Sequence, residues 1–239
     1  MGLGNFRWRI LLIIVSALLL WQSSKVWLSF AQEKSVIEAQ LQDNQPVTLN
    51  QKDEGKSQKV HVVVYYEALC PDSRSFFVKQ LLPTYQKISH NIRVELIPYG
   101  KATTTETEDG YKFMCQHGPP ECEANIIHAC SINIIKNSSV QLEYITCMIK
   151  NNIKPVNIMK TCAEKMNLDY NTILKCSTGD KGKELLAKYG ELTNSLSPRV
   201  SFIPTVVLDD SSENQARVLK NLLQEVCLHL KVLPEGCTL

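Results

Sequence analysis

Nine cysteines constrain this chain more than any other feature. Cys70 stands apart, directly after the apolar run Val60–Tyr66, and the other eight follow it. In an oxidising compartment eight cysteines can pair, which leaves the ninth as an intermolecular link or a reactive thiol. Because Cys70 lies where a strand passes into a helix, we expect a reactive thiol; the alternative is a structural disulfide. The disulfide candidates are Cys115, Cys122, Cys130, Cys147, Cys162, Cys176, Cys227 and Cys237.

The first 31 residues explain this use of cysteine. Arg7 and Arg9 precede an apolar stretch over residues 10–21, and Ser29 and Ala31 place small residues where a signal peptidase reads. This pattern predicts a secretory signal peptide at residues 1–31. The alternative is an uncleaved membrane anchor, but the apolar stretch is shorter than the ~20 residues of a spanning helix. We expect no membrane association after cleavage.

Charge and composition narrow the function further. The formal net charge is +2 and no block of basic residues occurs, so nothing favours nucleic acid or anionic lipid as a partner. A hydrophobic content of 44% is ample for a globular core. Residues 32–58 are polar and aperiodic, which predicts a solvated N-terminal arm. Asn137 begins an Asn-Ser-Ser triplet, a predicted N-glycosylation site.

Residues 59–239 read as one α/β domain. The β-branched and aromatic run Val60–Tyr66 predicts a buried strand, and residues 92–96 alternate as a second strand. Between them, apolar residues recur at helical spacing, with Pro83 expected to kink or end the helix. Strand, helix and strand in this order predict a parallel βαβ unit.

The rest of the domain has a different character. Residues 110–195 hold six cysteines and long helical stretches with few strand signals, so we expect a helical insertion braced by disulfides. A strand is predicted over residues 202–208, where Pro204 indicates an edge strand unless the proline has a special role. Residues 213–230 carry one apolar face and predict a single final helix.

This order of elements resembles the thioredoxin fold. By that resemblance Cys70 begins the active-site helix, and Pro204 is the cis proline that faces it. The N–H groups and positive potential at a helix N-terminus stabilise a thiolate, which is the form that attacks disulfides. Ser73 stands where a dithiol enzyme has its resolving cysteine. The Ser73 hydroxyl can donate a hydrogen bond to a thiolate but cannot release a mixed disulfide.

A further motif points to one family. Residues 115–130 read C-Q-H-G-x-x-E-C-x-x-N-x-x-x-x-C, and every fixed position is filled. This segment resembles the signature of the gamma-interferon-inducible lysosomal thiol reductase (GILT) family. The resemblance implies reduction of protein disulfides in acidic compartments, and hence a lysosomal, endosomal or secreted protein. The family's usual site is Cys-x-x-Cys, of which this chain has only the first cysteine.

From the residues alone, the signature reads as a cross-linked loop leading into a helix. Zinc bound by Cys115, Cys122, Cys130 and either His117 or His128 is disfavoured, because the tight Cys-x-x-Cys knuckle is missing. The oxidising compartment also favours disulfides. We expect His117 to serve the hydrogen bonding of the loop.

Further expectations concern the pairing of the cysteines and His61. Cys227 and Cys237 form a plausible local pair, while Cys147, Cys162 and Cys176 are expected to brace the insertion. His61 is expected to be a packed residue of the strand.

Two functional hypotheses follow. The first is a thiol reductase with catalytic residues Cys70, Ser73 and Pro204, no bound cofactor, and an external small thiol as reductant. Its partners are disulfide-containing proteins. The second is a binding module on the same fold that captures disulfides or thiols without turnover, because Ser73 replaces the resolving cysteine.

Overall fold

The computed structural model describes residues 59–108 and 110–237. The predicted signal peptide (residues 1–31) and polar arm (residues 32–58) lie outside the described residues. Within the described ranges, no helix has the length and apolar character needed to cross a membrane.

The central sheet has three strands. β1 (Val60–Tyr66) lies in the middle, parallel to β2 (Ile92–Pro98) and antiparallel to β5 (Thr205–Leu208). The register pairs Val60 with Ile92, so the predicted βαβ unit is confirmed. β1 alternates buried and half-buried positions and is fully buried from Val64 onward. Cys70 therefore follows the carboxyl end of the central strand of the sheet.

The helix after β1 changes its winding partway along. α1 (Pro71–Phe76) continues through a π turn (Phe77–Leu81) into α2 (Leu82–Ile88). Pro83 stands in the first turn of α2, the position where a missing N–H costs least. The proline is therefore accommodated by the π turn that precedes it.

An antiparallel hairpin precedes the helical insertion. Its strands are β3 (Thr103–Thr107) and β4 (Gly110–Met114), and the helices begin only at Pro119. β3 is mostly exposed, so it lacks the alternation of apolar and polar residues by which a strand is recognised. Three consecutive threonines, at residues 103–105, are its β-forming signal.

Five helices make up the insertion, and apolar packing and disulfides hold them together. Leu142, Tyr144, Ile145 and Met148 are buried with β1 and the helix α1 in one apolar core. The helices are α3 (Pro119–Ile134), α4 (Ser138–Ile149), α5 (Pro155–Lys165), α6 (Tyr170–Thr178) and α7 (Asp180–Ser195).

The C-terminal region corrects two predictions. β5 begins at Thr205, so Pro204 precedes the strand and removes no ladder hydrogen bond from it. The predicted single final helix is two, α8 (Gln215–Lys220) and α9 (Leu222–His229). At Asn221 the backbone leaves the helical region, and the N–H of Leu222 donates to the side chain of Gln80 at 3.2 Å.

Candidate active site

The reactive-thiol candidate occupies the start of α1. Of the nine cysteines, all within the described residues, Cys70 alone is free, and it is 8% exposed. It is the N-cap residue of α1, with extended backbone angles that end strand β1 and let the helix begin at Pro71. The Cys70 side chain makes no capping hydrogen bond. The thiol therefore lies beside the unpaired N–H groups of a helix N-terminus.

The opposite side of the site comes from the segment before β5. The Ile203–Pro204 peptide bond is cis, and the Cys70 thiol donates to the carbonyl oxygen of Ile203 at 3.8 Å. Thus two residues 133 positions apart are in contact. A groove of ≈ 280 Å³ opens beside this contact. Asp72 of α1 and Lys79 of the π turn line one side, and Phe202 and Pro204 line the other.

Ser73 faces away from the role expected of it. Its side chain is fully buried, and its hydroxyl accepts a hydrogen bond from the N–H of Glu67 at 3.4 Å. The structure gives no hydrogen bond between Ser73 and Cys70 among the described residues. Ser73 instead ties the first turn of α1 to the beginning of the loop that leads into it.

That loop, residues 67–69, is held by side chains from α3. The N–H of Ala68 donates to Asn125 Oδ1 at 3.0 Å, and the N–H of Leu69 donates to Glu121 Oε2 at 3.3 Å. Both acceptors are fully buried fixed positions of the signature. A loop without strand or helix partners must satisfy its buried N–H groups in some other way. The signature supplies those acceptors and thereby positions Cys70.

Asn152, in the turn after α4, makes a further contact with the loop. Asn152 Nδ2 donates to the carbonyl of Ala68 at 3.3 Å and to His128 Nε2 at 3.1 Å. Since Nε2 accepts, the neutral His128 carries its proton on Nδ1, which contacts the Tyr66 hydroxyl at 3.0 Å. Desolvation by burial lowers the pKa of His128 to about 3. Burial therefore keeps His128 neutral well below its ordinary pKa, and its contacts with Tyr66 and Asn152 make it a structural residue.

His117 has the predicted role in the loop, whereas His61 differs from its prediction. His117 Nδ1 lies 2.6 Å from Glu121 Oε2, and its backbone N–H donates to Glu121 Oε1 at 3.0 Å, which is the expected role in the loop. His61 is more than a packed residue, since its Nε2 contacts the Glu95 carboxylate at 2.9 Å.

Every cysteine other than Cys70 is paired. The expected Cys227–Cys237 bridge is present, and two bridges brace the insertion as predicted. The zinc alternative is excluded for its cysteines, because all three are in disulfides. The four bridges are Cys115–Cys122, Cys130–Cys176, Cys147–Cys162 and Cys227–Cys237.

The predicted glycosylation site is exposed at the start of α4. Asn137 is the N-cap, and its Oδ1 accepts from the N–H groups of Ser139 and Val140. Glycosylation at Asn137 stays a prediction.

Sequence reasoning missed two residues of the site. Glu67, which begins the Cys70 loop, and Asn152, which donates to the carbonyl of Ala68 in that loop, are buried and belong to no motif. Glu67 directly follows the strand Val60–Tyr66, and an acid at that position is the one signal that was available. Asn152 carries no signal, because only the folded chain brings α4 and its following turn beneath the loop.

A three-stranded sheet in the order β2-β1-β5, a cysteine at the first helix and a cis proline before β5 define a thioredoxin-like thiol–disulfide oxidoreductase. The family model described as "Gamma interferon inducible lysosomal thiol reductase (GILT)" matches residues 61–166. This chain belongs to the GILT family.

Individual relatives and solved structures extend the match. A gamma-interferon-inducible lysosomal thiol reductase-like protein of Anopheles gambiae is 32% identical over 196 residues, covering 75% of this chain and 80% of the relative. The gamma-interferon-inducible lysosomal thiol reductase of Carassius auratus is 31% identical over 183 residues, covering 74% of this chain and 72% of its own. Among solved structures, Chlamydia trachomatis DsbA aligns with a TM-score of 0.49 at 14% identity, covering 75% of this chain and 96% of that chain.

Proposed function

We propose that this chain is a lumenal reductase of protein disulfides in which Cys70 is the nucleophile and an external small thiol completes each cycle. One observation carries the proposal: the single free cysteine begins a helix and faces the cis proline segment, with Sγ 3.8 Å from the Ile203 carbonyl oxygen. A thiolate at a helix N-terminus is stabilised by the N–H groups around it.

The reaction proceeds in balanced steps. The Cys70 thiolate attacks one sulfur of a substrate disulfide, forms a mixed disulfide and releases the other sulfur as a thiolate. Ser73 cannot attack this mixed disulfide, and its hydroxyl is already engaged with the loop backbone. A first small thiol displaces the substrate from Cys70, and a second regenerates the free thiol. The net result is one substrate disulfide reduced and one small-molecule disulfide formed.

The groove beside Pro204 is the proposed docking place for the substrate chain. Phe202 is 40% exposed and gives this groove an apolar wall. Among residues 59–108 and 110–237, the Ile203 carbonyl oxygen accepts only the weak thiol donor of Cys70, so it can accept an N–H from an extended substrate segment when Cys70 reacts.

The compartment is proposed to be the lumen of the secretory and endosomal system, ending in the lysosome. Four disulfides fit an oxidising route of synthesis. The relatives of Anopheles gambiae and Carassius auratus are both named as lysosomal thiol reductases or as like one. A predicted signal peptide and the exposed Asn137 sequon support the same route.

The test is reduction of a denatured disulfide-bonded protein by the wild type, Cys70→Ala and Ser73→Cys, with a small thiol present, at pH ~5 and pH ~7. Catalysis by the wild type that disappears in folded Cys70→Ala supports the proposal. Unchanged catalysis in Cys70→Ala overturns it. A circular dichroism spectrum matched to the wild type confirms that each variant is folded.

A capture module without turnover is the second candidate, and the observation that favours it is Ser73 in place of a resolving cysteine. It predicts that a mixed disulfide at Cys70 accumulates and persists with small thiol present. Activity that appears only in Ser73→Cys would establish this candidate. Efficient multiple turnover by the wild type would exclude it.

A further inference from the structure

A second group of chemically active side chains lies beside the Cys70 loop. It consists of Glu67, His117 and Glu121, which we name the carboxylate–histidine cluster. The two carboxylates are buried, with side chains 1% and 0% exposed, whereas the imidazole is 32% exposed. Buried carboxylates are rare unless a cation or hydrogen-bond donors compensate them.

The cluster is arranged around a common point. Glu67, His117 and Glu121 each offer one ligand atom, and these three atoms all lie within 4.8 Å of one another. The imidazole nitrogen is 2.6 Å from Glu121 Oε2 and 3.5 Å from Glu67 Oε2. These are three potential ligand atoms, of the nitrogen and oxygen types that bind divalent cations.

The second oxygen of each carboxylate is fixed by backbone. Glu67 Oε1 accepts from the N–H of Lys101 at 2.7 Å, and Glu121 Oε1 accepts from the N–H of His117 at 3.0 Å. Such bonds orient metal ligands in known sites, because a clamped carboxylate can turn only one oxygen toward the ion. Here both clamped carboxylates turn Oε2 toward the imidazole.

One atom of the cluster lacks a partner that a buried oxygen needs. Glu67 Oε2 is buried and has no hydrogen-bond donor among the described residues. The nearest donor candidate, His117 Nδ1, is 3.5 Å away and is already committed to Glu121 at the shorter distance. An unsatisfied buried oxygen aimed at two other ligand atoms indicates that something besides protein binds between them.

We propose that Glu67, His117 and Glu121 bind one divalent transition-metal cation, with Zn²⁺ the best match. One imidazole and two carboxylates suit Zn²⁺ at about 2.0–2.2 Å from each ligand atom. The exposed side of His117 leaves a path for entry and a fourth position for water. A cation neutralises both carboxylates, which the single imidazole proton cannot do.

The site adjoins the reactive loop. The N–H of Leu69 donates to Glu121 Oε2, and the N–H of Cys70 donates to the Glu67 carbonyl at 3.4 Å. Occupancy of the cluster would therefore order residues 67–70. This inference does not depend on the proposed reductase activity, since binding is measurable without it.

The test is Zn²⁺ titration by calorimetry at pH ~7, in a Cys70→Ala background so that the thiol cannot bind the metal. We expect one ion per chain. Glu67→Gln and His117→Ala should each weaken binding at least about tenfold, as loss of a ligand does. His61→Ala is the matched control, because it removes a half-buried histidine that contacts a glutamate outside the cluster.

Thermal unfolding with and without Zn²⁺ gives a second readout that does not depend on heats of binding. The parent and His61→Ala should be stabilised by the metal, and folded His117→Ala should not be. The absence of saturable binding up to ~1 mM Zn²⁺ in the folded parent overturns the proposal, since this corresponds to negligible affinity. Equal affinity in the parent and His117→Ala overturns it as well.

Discussion

The helical insertion and the Cys70 loop are held together by different means. The insertion has three disulfides and an apolar core that includes Tyr144 and Met148. Residues 67–69 have no disulfide, and buried polar side chains satisfy their backbone. Disulfides hold the insertion, and buried hydrogen bonds hold the Cys70 loop.

The difference follows from the chemistry of the thiol. A disulfide next to Cys70 would be open to exchange with it, so a loop that carries a reactive thiol is safer when held without sulfur. Polar groups perform that task when interior acceptors meet the buried N–H groups of the loop. Helix α3 of the insertion supplies these acceptors, Glu121 for Leu69 and Asn125 for Ala68.

Breaking the longest covalent link should have the largest effect. Cys130→Ala with Cys176→Ala opens a bridge that spans 46 residues, and the chain-entropy relation predicts a loss of about 4 kcal/mol in the free energy of unfolding. Denaturant unfolding followed by circular dichroism measures it. The matched control is Cys227→Ala with Cys237→Ala, which spans 10 residues and should lose about 3 kcal/mol. A larger loss in the control would contradict the ranking.

The polar region should instead respond to pH. Burial lowers the pKa of His128 to about 3, so between that value and its ordinary 6.5 the unfolded chain binds a proton that the folded chain does not. Stability is therefore fully present above pH ~6.5 and falls as the pH falls toward 3, by about 2–3 kcal/mol between pH 7 and pH 4.5.

His128→Gln isolates this contribution. Urea unfolding at both pH values should show the wild type losing about 2–3 kcal/mol more than His128→Gln on acidification. If His128→Gln lost as much stability as the wild type on acidification, the neutral His128 would not be the cause.

Asn125 tests the loop more locally. Asn125→Leu leaves the buried N–H of Ala68 without an acceptor, which should cost about 1–3 kcal/mol. The same change should alter the rate of Cys70 alkylation, because the loop positions the thiol. Asn133→Leu, at an exposed position of the same helix, is the control and should change neither quantity by much. A variant with normal alkylation but lost stability would limit Asn125 to a structural role.

The place of Cys70 was predictable from the sequence, whereas the polar contacts that hold its loop were not. An odd number of cysteines isolated Cys70, and the apolar run of β1 with its βα boundary located it at a helix start. These signals are local. The contacts of Glu67 and Asn152 join residues 34 and 84 positions apart, and no periodicity reports such pairs.

The errors in secondary structure have similar causes. The apolar face of residues 213–230 continues through Asn221, so periodicity alone joins α8 to α9. The break is set by a tertiary partner, Gln80, which accepts the N–H of Leu222. The hairpin of β3 and β4 was missed because exposed strands lack a buried face.

The smallest predicted effect concerns a noncovalent element within the insertion. Asn137 caps α4 through its Oδ1, so Asn137→Ala should lower the free energy of unfolding by about 1 kcal/mol. Ser139→Ala also destroys the sequon but leaves the cap in place. Both variants should lack the glycan that mass spectrometry detects on the wild type made in a secretory host. When stability is compared after deglycosylation of the wild type, only Asn137→Ala should be destabilised. Equal stability of the two variants would show that the N-cap adds nothing measurable. In that case disulfides and apolar packing alone would hold α4 in place.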